Sequence, residues 1–265
     1  MSPNRSRRAL ADGVPVPIHA AALEGVAHGF FGRQGGVSTG EVAGLQVGFG
    51  AGDDPEFVAE NRRRVIAAVL PGAGLAMPFQ VHSRDVAVVS APVEGDDRPR
   101  VDALVSATPS LLVGVVTADC APVLLADRQA GVVAAAHAGW RGAKEGVLAN
   151  TVAQMVTLGA DRSRIAAAIG PTIAQPSYEV DAGFRDAFLA DDPASDRFFA
   201  AGKPGHFQFD LPGFAAAQLA AAGVGKVENL GLDTYADSAR FYSFRRATHR
   251  GEATYGRQGA FIGLG

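Results

Sequence analysis

The sequence predicts an α+β fold, in which strands and helices do not alternate as they do in a regular βαβ winding. Short apolar runs typical of strands dominate the middle of the chain, amphipathic segments typical of helices flank them, and a hairpin turn joins two of the runs. Glycine (33) and proline (15) are spread along the chain, which favours many turns between short elements. The 265 residues, 48% of them hydrophobic, are enough for a substantial core.

Four segments have the apolar spacing that predicts a helix. The first, residues 54–70, has Asp54 as its N-cap and Pro55 at its first helical position. The second runs from Ala143 to Leu158 and has a mostly apolar stripe along one face. The other two helices are predicted at residues 181–190 and 211–223.

Short apolar runs predict the strands. They occupy residues 85–91, 111–118, 121–127, 131–138, 165–171, 226–232 and 259–264. The segment "DRQAG" at residues 127–131 connects two of them as a hairpin turn, with Gly131 in the left-handed position. These two strands are therefore expected to pair as antiparallel neighbours.

Composition narrows the class of protein. The net charge of −3 gives no basic surface for nucleic acid or a membrane, and no apolar run approaches the ~18 residues of a membrane span. One cysteine cannot form an internal disulfide, and the N-terminus has no signal-peptide core, so we expect a cytoplasmic protein. We expect one domain over residues 1–265 with a flexible tail at residues 1–8. Neither a GxGxxG turn nor a P-loop is present to indicate the familiar nucleotide-cofactor sites.

The single cysteine and two histidines form a candidate metal site. Cys120 follows Asp119 at the end of the predicted strand 111–118, and His137 closes the predicted strand 131–138. With a hairpin between them, both can lie at the same end of neighbouring strands, which are about 4.8 Å apart. The segment "FQVHSRD" supplies His82, also at the edge of an element. Two nitrogens and one thiolate leave a fourth coordination position open, as in catalytic zinc sites.

The same three residues permit other chemistry. Two histidines and a cysteine with a distant methionine are also a blue-copper set, although neither Met77 nor Met155 lies in a Cys–His–Met loop. Without a metal, Cys120 and His137 are a nucleophile and base for a cysteine hydrolase. A metal-stabilised binding module is a further, non-enzymatic alternative.

The sequence motifs around these residues resemble those of one family. The resemblance runs from about residue 29 to residue 262 and rests on several separated words in the right order. They are "RQGGVS" (33–38), "GDDP" (52–55), "QVHS" (80–83), "TADCAPVLLAD" (117–127), "AAHAGWRGA" (135–143), "IGPTIAQPSYEV" (169–180), "YADSARFYSFRRA" (235–247) and "GRQGAFI" (256–262). Together they resemble the laccase-domain family, once called multicopper polyphenol oxidoreductases and now linked to purine nucleoside phosphorylase activity.

The resemblance implies a fold, a ligand set and a range of activities. The implied fold is a single domain with two β layers flanked by helices, a four-layer α/β/β/α arrangement. The implied metal ligands match His82, Cys120 and His137 here. The implied activities are phosphorolysis of purine nucleosides, including methylthioadenosine, and deamination of adenosine. Copper-dependent oxidation of phenols and editing of peptidoglycan precursors are further implications.

This chain departs from the family pattern in several of these motifs. Thr172, Ser177 and Asp233 stand where the family often has cysteines, and Gly44-Leu45-Gln46 replaces a frequent "SLN". The three motifs that contain the expected metal ligands are intact. The departures therefore bear on substrate preference rather than on metal binding.

We assign provisional roles to charged residues near these words. Asp119 is a candidate proton shuttle for deamination, in which a zinc site makes hydroxide available for attack on adenine. Arg33 and Arg141 are candidates for catalysis and for binding phosphate, and Arg245 and Arg246 are candidates for substrate binding. The expected ligands are therefore Zn²⁺, with copper as the alternative, and small molecules, namely purine nucleosides and phosphate.

Overall fold

The computed structural model describes residues 13–93 and 95–265. The tail predicted at residues 1–8 lies outside the described residues. The helices are α1 (Pro55–Val69), α2 (Trp140–Glu145), α3 (Val147–Thr157), α4 (Ala182–Asp191), α5 (Leu211–Ala221) and α6 (Phe244–Arg250). The strands are β1 (Ala27–Phe30), β2 (Gly74–Ala76), β3 (Val86–Val88), β4 (Ala103–Ser106), β5 (Leu111–Thr117), β6 (Ala121–Asp127), β7 (Val132–Ala138), β8 (Ala166–Ile169), β9 (Glu179–Asp181), β10 (Phe199–Ala201), β11 (His206–Phe209), β12 (Lys226–Asn229) and β13 (Gln258–Gly263).

Two sheets carry the fold. One has the strand order β1-β13-β5-β2 and the other has the order β12-β8-β6-β7-β4-β3. Both are mixed, since β2 runs parallel to β5, and β3 and β12 run parallel to their neighbours in the larger sheet, while the other pairs are antiparallel. This pattern confirms the predicted α+β class.

Three apolar cores separate four layers. Leu124 and Val133 of the larger sheet pack against Val113 and Ile262 of the smaller one, forming the core between the sheets. On the outer face of the larger sheet, α2, α3 and α5 cover β6 and β7. On the outer face of the smaller sheet, Val65 of α1 packs over the strands. The predicted four-layer α/β/β/α arrangement is therefore confirmed.

The alternation of side chains along β7 determines where its histidine points. Ala134 and Ala136 face the helical layer, whereas Val133 and Ala135 face the core between the sheets. Because strand side chains alternate with period 2, His137 faces the same side as Val133 and Ala135. It lies at the end of β7, where the core between the sheets opens to the surface.

The predicted helix over residues 143–158 is wrong in its extent. The structure has two helices instead, α2 beginning at Trp140 and α3 at Val147. Gly146 separates them with φ of 98°, a left-handed conformation that ends the first helix and that only glycine adopts without strain. Because α2 begins three residues after His137, its N-cap Gly139 lies beside the candidate metal site.

A third, small sheet was not predicted. Its order is β10-β11-β9, and its phenylalanines pack with Phe184 and Phe188 of α4. Trp140 at the start of α2 packs on the same group, 4.9 Å from Phe184. Among the described residues, no helix is long and apolar enough to cross a membrane.

Candidate metal centre

His82, Cys120 and His137 meet at one end of the two main sheets. One donor atom from each lies within 4.8 Å of the others. The β6–β7 hairpin brings two of them together, because Ala121 pairs with Ala138 and Cys120 lies one residue before that pair. His82 arrives from the loop between β2 and β3, and its ring lies 4.8 Å from that of His137, edge to face.

The buried carboxylate of Asp102 holds both histidines. Its Oδ1 atom accepts hydrogen bonds from Nδ1 of His137 at 2.7 Å and from the backbone N–H of His82 at 3.0 Å. Its Oδ2 atom accepts from the N–H groups of Val81 and Ser83 and from the Ser83 hydroxyl. With Nδ1 of His137 engaged, Nε2 is the nitrogen available to a metal, and the carboxylate fixes the ring orientation.

Two residues at the site have strained backbones. His82 has φ of 59° and Asp119, which precedes Cys120, has φ of 91°. Left-handed conformations cost non-glycine residues of order 1–3 kcal/mol and persist only where surrounding contacts impose them. Here the Asp102 carboxylate fixes the His82 backbone, so the strain is tied to the placement of this ring.

Gly139 leaves the space that the ligand side chains occupy. A Cβ atom at this position would lie 2.8 Å from Nδ1 of His82 and 3.1 Å from Sγ of Cys120. Both donors therefore lie against the bare Cα of one glycine between β7 and α2. A methyl group at this position would therefore force the His82 ring to shift.

Replacing Gly139 with alanine is expected to weaken metal binding about tenfold or more, since the new methyl group displaces His82 and even indirect disturbance of ligands costs 10–100-fold. Titration with a competing chromophoric chelator measures the affinity. Gly183→Ala is the matched control, because a Cβ there meets only Asp181 Oδ1 at 3.5 Å. Equal affinities for the two variants would contradict this account of Gly139.

The surroundings of the two histidines shift their pKa values in opposite directions. Burial lowers the pKa of His137, but the negative charge of Cys120 and the hydrogen bond to Asp102 outweigh it and raise the pKa to about 9. Burial and the nearby His137 and Arg141 charges lower the pKa of His82. Hydrogen bonds from His137 and from backbone N–H groups outweigh burial and lower the pKa of Asp102. A carboxylate anion beneath a cationic or metal-bound imidazole is thus the stable arrangement.

The donor set fits a divalent transition metal. Two imidazoles and one thiolate suit zinc, which binds nitrogen at about 2.0 Å and sulfur at about 2.3 Å. The donors lie within 4.8 Å of one another, and His82 is the exposed member of the set. The Asp102–His137 bond supplies the carboxylate partner that metal-bound histidines usually have.

Two cavities meet at this centre. The larger has a volume of about 410 Å³ and is lined by all three donor residues, by three arginines and by aromatic rings. The smaller, of about 250 Å³, is lined by His82, Cys120 and mainly apolar side chains. Phe244 lines both cavities and is half exposed. A bound molecule can therefore contact the metal centre from two chemically different sides.

Comparison with known proteins agrees with this geometry. Residues 27–265 match the family model described as multi-copper polyphenol oxidoreductase laccase. The chain belongs to this laccase family. The resemblance seen in its sequence words is thereby confirmed.

Relatives of this laccase-family chain cover almost its whole length. A Deinococcus radiodurans protein named purine nucleoside phosphorylase is 43% identical over 257 residues, which is 94% of this chain and 93% of that one. A Mycobacterium tuberculosis protein with the same name is 40% identical over 233 residues, 87% of this chain and 88% of that one.

Solved structures of the family share the fold. A Neisseria meningitidis protein assigned to the family DUF152 is 36% identical, with a TM-score of 0.84 over 95% of this chain and 99% of that one. YlmD from Geobacillus stearothermophilus is 32% identical, with a TM-score of 0.86 over 96% of this chain and 97% of that one. The fold described above is thus the fold of the family.

The arginines selected from the laccase-family motifs differ in their contacts and in whether they line a cavity. Arg245 lines the smaller cavity, lies 5.2 Å from the Tyr178 ring and donates to the Glu179 carbonyl. Arg141 is exposed beside Trp140, and its charge reaches His82. Arg33 lines neither cavity. It donates to the carbonyls of Ser238 and Ala43 and stacks on Tyr242.

Arg246 is buried in a cage of backbone carbonyls. Its guanidinium donates to the carbonyls of Thr234, Tyr235 and Phe241, and it lines neither cavity. These contacts fasten α6 to the preceding loop. Its geometry therefore favours a structural role over the substrate role expected from the sequence.

Arg246→Ala is expected to lower the free energy of unfolding by about 2–4 kcal/mol, because it leaves several buried carbonyls without donors. Chemical denaturation followed by circular dichroism measures the change. Arg250→Ala on the same helix is the control, since that exposed arginine forms a surface ion pair with Glu252, and it should change stability by less than about 0.5 kcal/mol. A stable Arg246→Ala variant would contradict the structural role.

Both carboxylate oxygens of Asp119 accept hydrogen bonds from neighbouring residues. Its Oδ1 atom accepts from the Thr234 hydroxyl, and its Oδ2 atom accepts from the Ser243 hydroxyl and the Arg245 N–H. Burial raises its pKa, against the effect of these hydrogen bonds. The contacts tie the Cys120 loop to the start of α6. They favour positioning of Cys120 over the proton transfer that the sequence suggested.

The sequence reasoning missed the arginines that line the larger cavity. Arg62 comes from α1, Arg98 from the loop before β4, and Arg257 from the residue before β13. The run "NRRRV" and the word "GRQ" were the available signals. Neither motif shows which arginine faces a cavity. Of the three consecutive arginines in α1, Arg62 lines the larger cavity, whereas Arg63 and Arg64 form ion pairs with Glu60.

Proposed function

We propose that this protein is a zinc-dependent purine nucleoside phosphorylase that also cleaves methylthioadenosine and deaminates adenosine. The observation that carries the proposal is the metal centre at the junction of a basic cavity and an aromatic cavity. Phosphorolysis needs such a junction, because phosphate and a purine nucleoside must meet at one carbon atom. The names of the relatives support the same activity class.

The larger cavity provides the phosphate side. Arg62, Arg98 and Arg257 line it, and none of its described lining residues is a carboxylate. Their guanidinium groups are held in place, since Arg62 donates to the Val47 carbonyl and Arg257 to the Phe49 carbonyl. Fixed arginines bind phosphate oxygens with charge-assisted hydrogen bonds, so this side suits the attacking anion.

The smaller cavity provides the base side. Trp140, Tyr178 and Phe244 line it together with Ile173 and Leu211. Flat aromatic and aliphatic walls of this kind suit a purine ring, and convergent polar groups fix its orientation. Burial raises the pKa of the Tyr178 hydroxyl, so this group remains a hydrogen-bond donor at neutral pH.

The chain's own residues hold the reacting groups between these sides. His82, Cys120 and His137 would hold the metal, and Asp102 keeps His137 oriented through Nδ1. When bound, zinc would supply a Lewis acid for an oxygen of the substrate or of water.

Two alternatives from the sequence have less support. Of the two methionines considered for a copper site, Met155 of α3 is buried in the core between the larger sheet and its outer helices, and it lines neither cavity. Met77 packs in the core beneath α1 and also lines the larger cavity. A cysteine hydrolase needs only Cys120 and His137, and leaves the adjacent His82 and the arginine-lined cavity without a role.

Product analysis tests the proposal. Metal-loaded protein is incubated with inosine, adenosine or methylthioadenosine, with and without inorganic phosphate, and the products are separated chromatographically. We expect free base and a pentose 1-phosphate only when phosphate is present, and inosine from adenosine in either case. Release of free ribose at equal rates with and without phosphate would contradict phosphorolysis.

A further inference from the structure

The side chains of the smaller cavity offer hydrogen-bond donors to a bound base. Apart from the metal donors, the polar side chains that line it are those of Asp119, Trp140, Tyr178 and Arg245. The Asp119 carboxylate already accepts three hydrogen bonds. The indole, hydroxyl and guanidinium groups that remain all donate. A base in this cavity is therefore recognised through its acceptor atoms.

The Tyr178 hydroxyl is open to the cavity and has no internal partner. Among the residues that the structure describes, it forms no hydrogen bond. The fully enclosed polar side-chain atom that lacks a partner in this part of the chain is Oε1 of Gln208, so the Tyr178 oxygen is accessible. Tyrosine hydroxyls packed inside a protein usually have a hydrogen-bond partner, which leaves this one available to a bound molecule.

The surroundings of Tyr178 hold its ring in place. Its backbone N–H donates to the Gln175 carbonyl, and its own carbonyl accepts from the N–H of Phe209. Its ring packs edge-on against that of Phe209, with the ring centres 5.8 Å apart, and the Arg245 guanidinium lies 5.2 Å from its ring centre. Arg245 is itself fixed by its bond to the Glu179 carbonyl. The hydroxyl is thus a preorganised donor, the kind of group that stabilises developing charge.

The other two donor side chains form the wall around this hydroxyl. Trp140 packs in the aromatic cluster of α4, with its ring centre 4.9 Å from that of Phe184 and 6.4 Å from that of Phe188. Phe184 also contacts the ring of Tyr178. Arg245 connects the Tyr178 ring to the backbone of β9. Both side chains therefore support the position of the tyrosine.

Phosphorolysis places charge on an atom that such a donor suits. When the C1′–N9 bond of a purine nucleoside breaks, its electron pair passes to the five-membered ring and is shared between N9 and N7. N7 is a free acceptor before the bond breaks and carries more negative charge afterwards. A donor at N7 therefore stabilises the transition state more than the bound nucleoside, which raises kcat.

We infer that the Tyr178 hydroxyl donates a hydrogen bond to N7 of the leaving purine and is a catalytic residue of the reaction. This inference rests on the proposed function. In the step, the electron pair of the C1′–N9 bond goes to the base, an oxygen of hydrogen phosphate forms the new bond to C1′, and the phosphate proton ends on the base. Tyr178 keeps its own proton. Because inosine, adenosine and methylthioadenosine all have N7, the contact selects purines as a class.

Calorimetric titration of the metal-loaded full chain with inosine and with 7-deazainosine tests the contact. The second compound has a C–H group in place of N7. We expect inosine to bind about tenfold more tightly, as one hydrogen bond provides, and Tyr178→Phe to remove this ratio. Tyr235→Phe is the matched control, since its hydroxyl bonds to His249 and its ring lines neither cavity, and it should keep the ratio.

Turnover distinguishes a catalytic role of Tyr178 from a structural one. With inosine and phosphate, Tyr178→Phe should lower kcat by about a hundredfold, as loss of a preorganised donor does, and change KM much less. The base of 7-methylinosine carries a positive charge and leaves as a neutral molecule, so its departure needs no donor at N7. The variant should therefore cleave 7-methylinosine at close to the rate of the unmodified chain.

Three results would overturn the inference. They are equal binding of inosine and 7-deazainosine by the unmodified chain, a ratio that survives Tyr178→Phe, and equal losses of turnover for inosine and 7-methylinosine in that variant. Failure of the unmodified chain to form pentose 1-phosphate from either nucleoside would contradict the proposed function. The binding ratio would still decide whether Tyr178 contacts N7.

Discussion

Cys120→Ser is expected to lose both zinc and phosphorolytic activity. A neutral hydroxyl is a much poorer zinc ligand than a thiolate, and Cys120 supplies the only sulfur among the three clustered donors. We expect zinc affinity to fall by at least a hundredfold, because loss of a group that merely supports a ligand already costs 10–100-fold. Metal analysis after dialysis and a phosphorolysis assay measure the two effects.

The Cys120→Ser variant also distinguishes a role of Cys120 as a metal ligand from a role as a nucleophile. If Cys120 attacks substrate directly, the variant loses activity but keeps no less zinc than the unmodified chain, and an alkylating substrate analogue labels Cys120. His206→Gln is the control, since this histidine lies in β11 away from the cluster and lines neither cavity. Retention of stoichiometric zinc by Cys120→Ser would reject its role as a ligand.

Asp102→Ala is expected to reduce both stability and metal affinity. It leaves the N–H groups of Val81, His82 and Ser83 without their acceptor and removes the partner of His137. Breaking a buried charged network of this kind costs about 3–5 kcal/mol of unfolding free energy. It also releases the strained His82 backbone, so metal affinity should fall by about tenfold or more.

Asp127→Ala is the matched control for Asp102. Asp127 is equally buried, lies at the opposite end of the β6–β7 hairpin, and accepts from the backbone N–H groups of Gln129, Ala130 and Asp161. Its loss should destabilise the fold to a similar extent and leave metal affinity unchanged. Asp102→Asn adds a milder test, since it keeps an acceptor but removes the charge. Equal metal affinities for the Asp102 and Asp127 variants would mean that Asp102 is structural only.

Much of the fold follows from local signals in the sequence. The N-cap Asp54 and the following proline place the start of α1, and the apolar runs on either side of "DRQAG" give β6 and β7. Because an antiparallel hairpin aligns the start of one strand with the end of the next, the proximity of Cys120 and His137 was predictable. His82 is three elements away, so its position at the edge of an element made it only a candidate, and the resemblance to the family added the stronger support.

Other features depend on contacts that the sequence does not encode locally. Asp102 lies in "RVDALV", with nothing nearby in sequence to show that it contacts His82 and His137. The break at Gly146 was missed because an isolated glycine is often tolerated within a helix, and the apolar stripe continues past it. The arginines of the larger cavity come from α1, a loop and a strand start, and only the folded chain brings them together.

The most direct test of the central claim is nucleoside phosphorolysis by one preparation before and after metal removal. The protein is treated with a strong chelator, assayed with inosine and phosphate, and assayed again after one equivalent of zinc is added. We predict that removal abolishes production of pentose 1-phosphate and that zinc restores it in proportion to the metal bound. Full activity in protein shown to be metal-free would contradict the account.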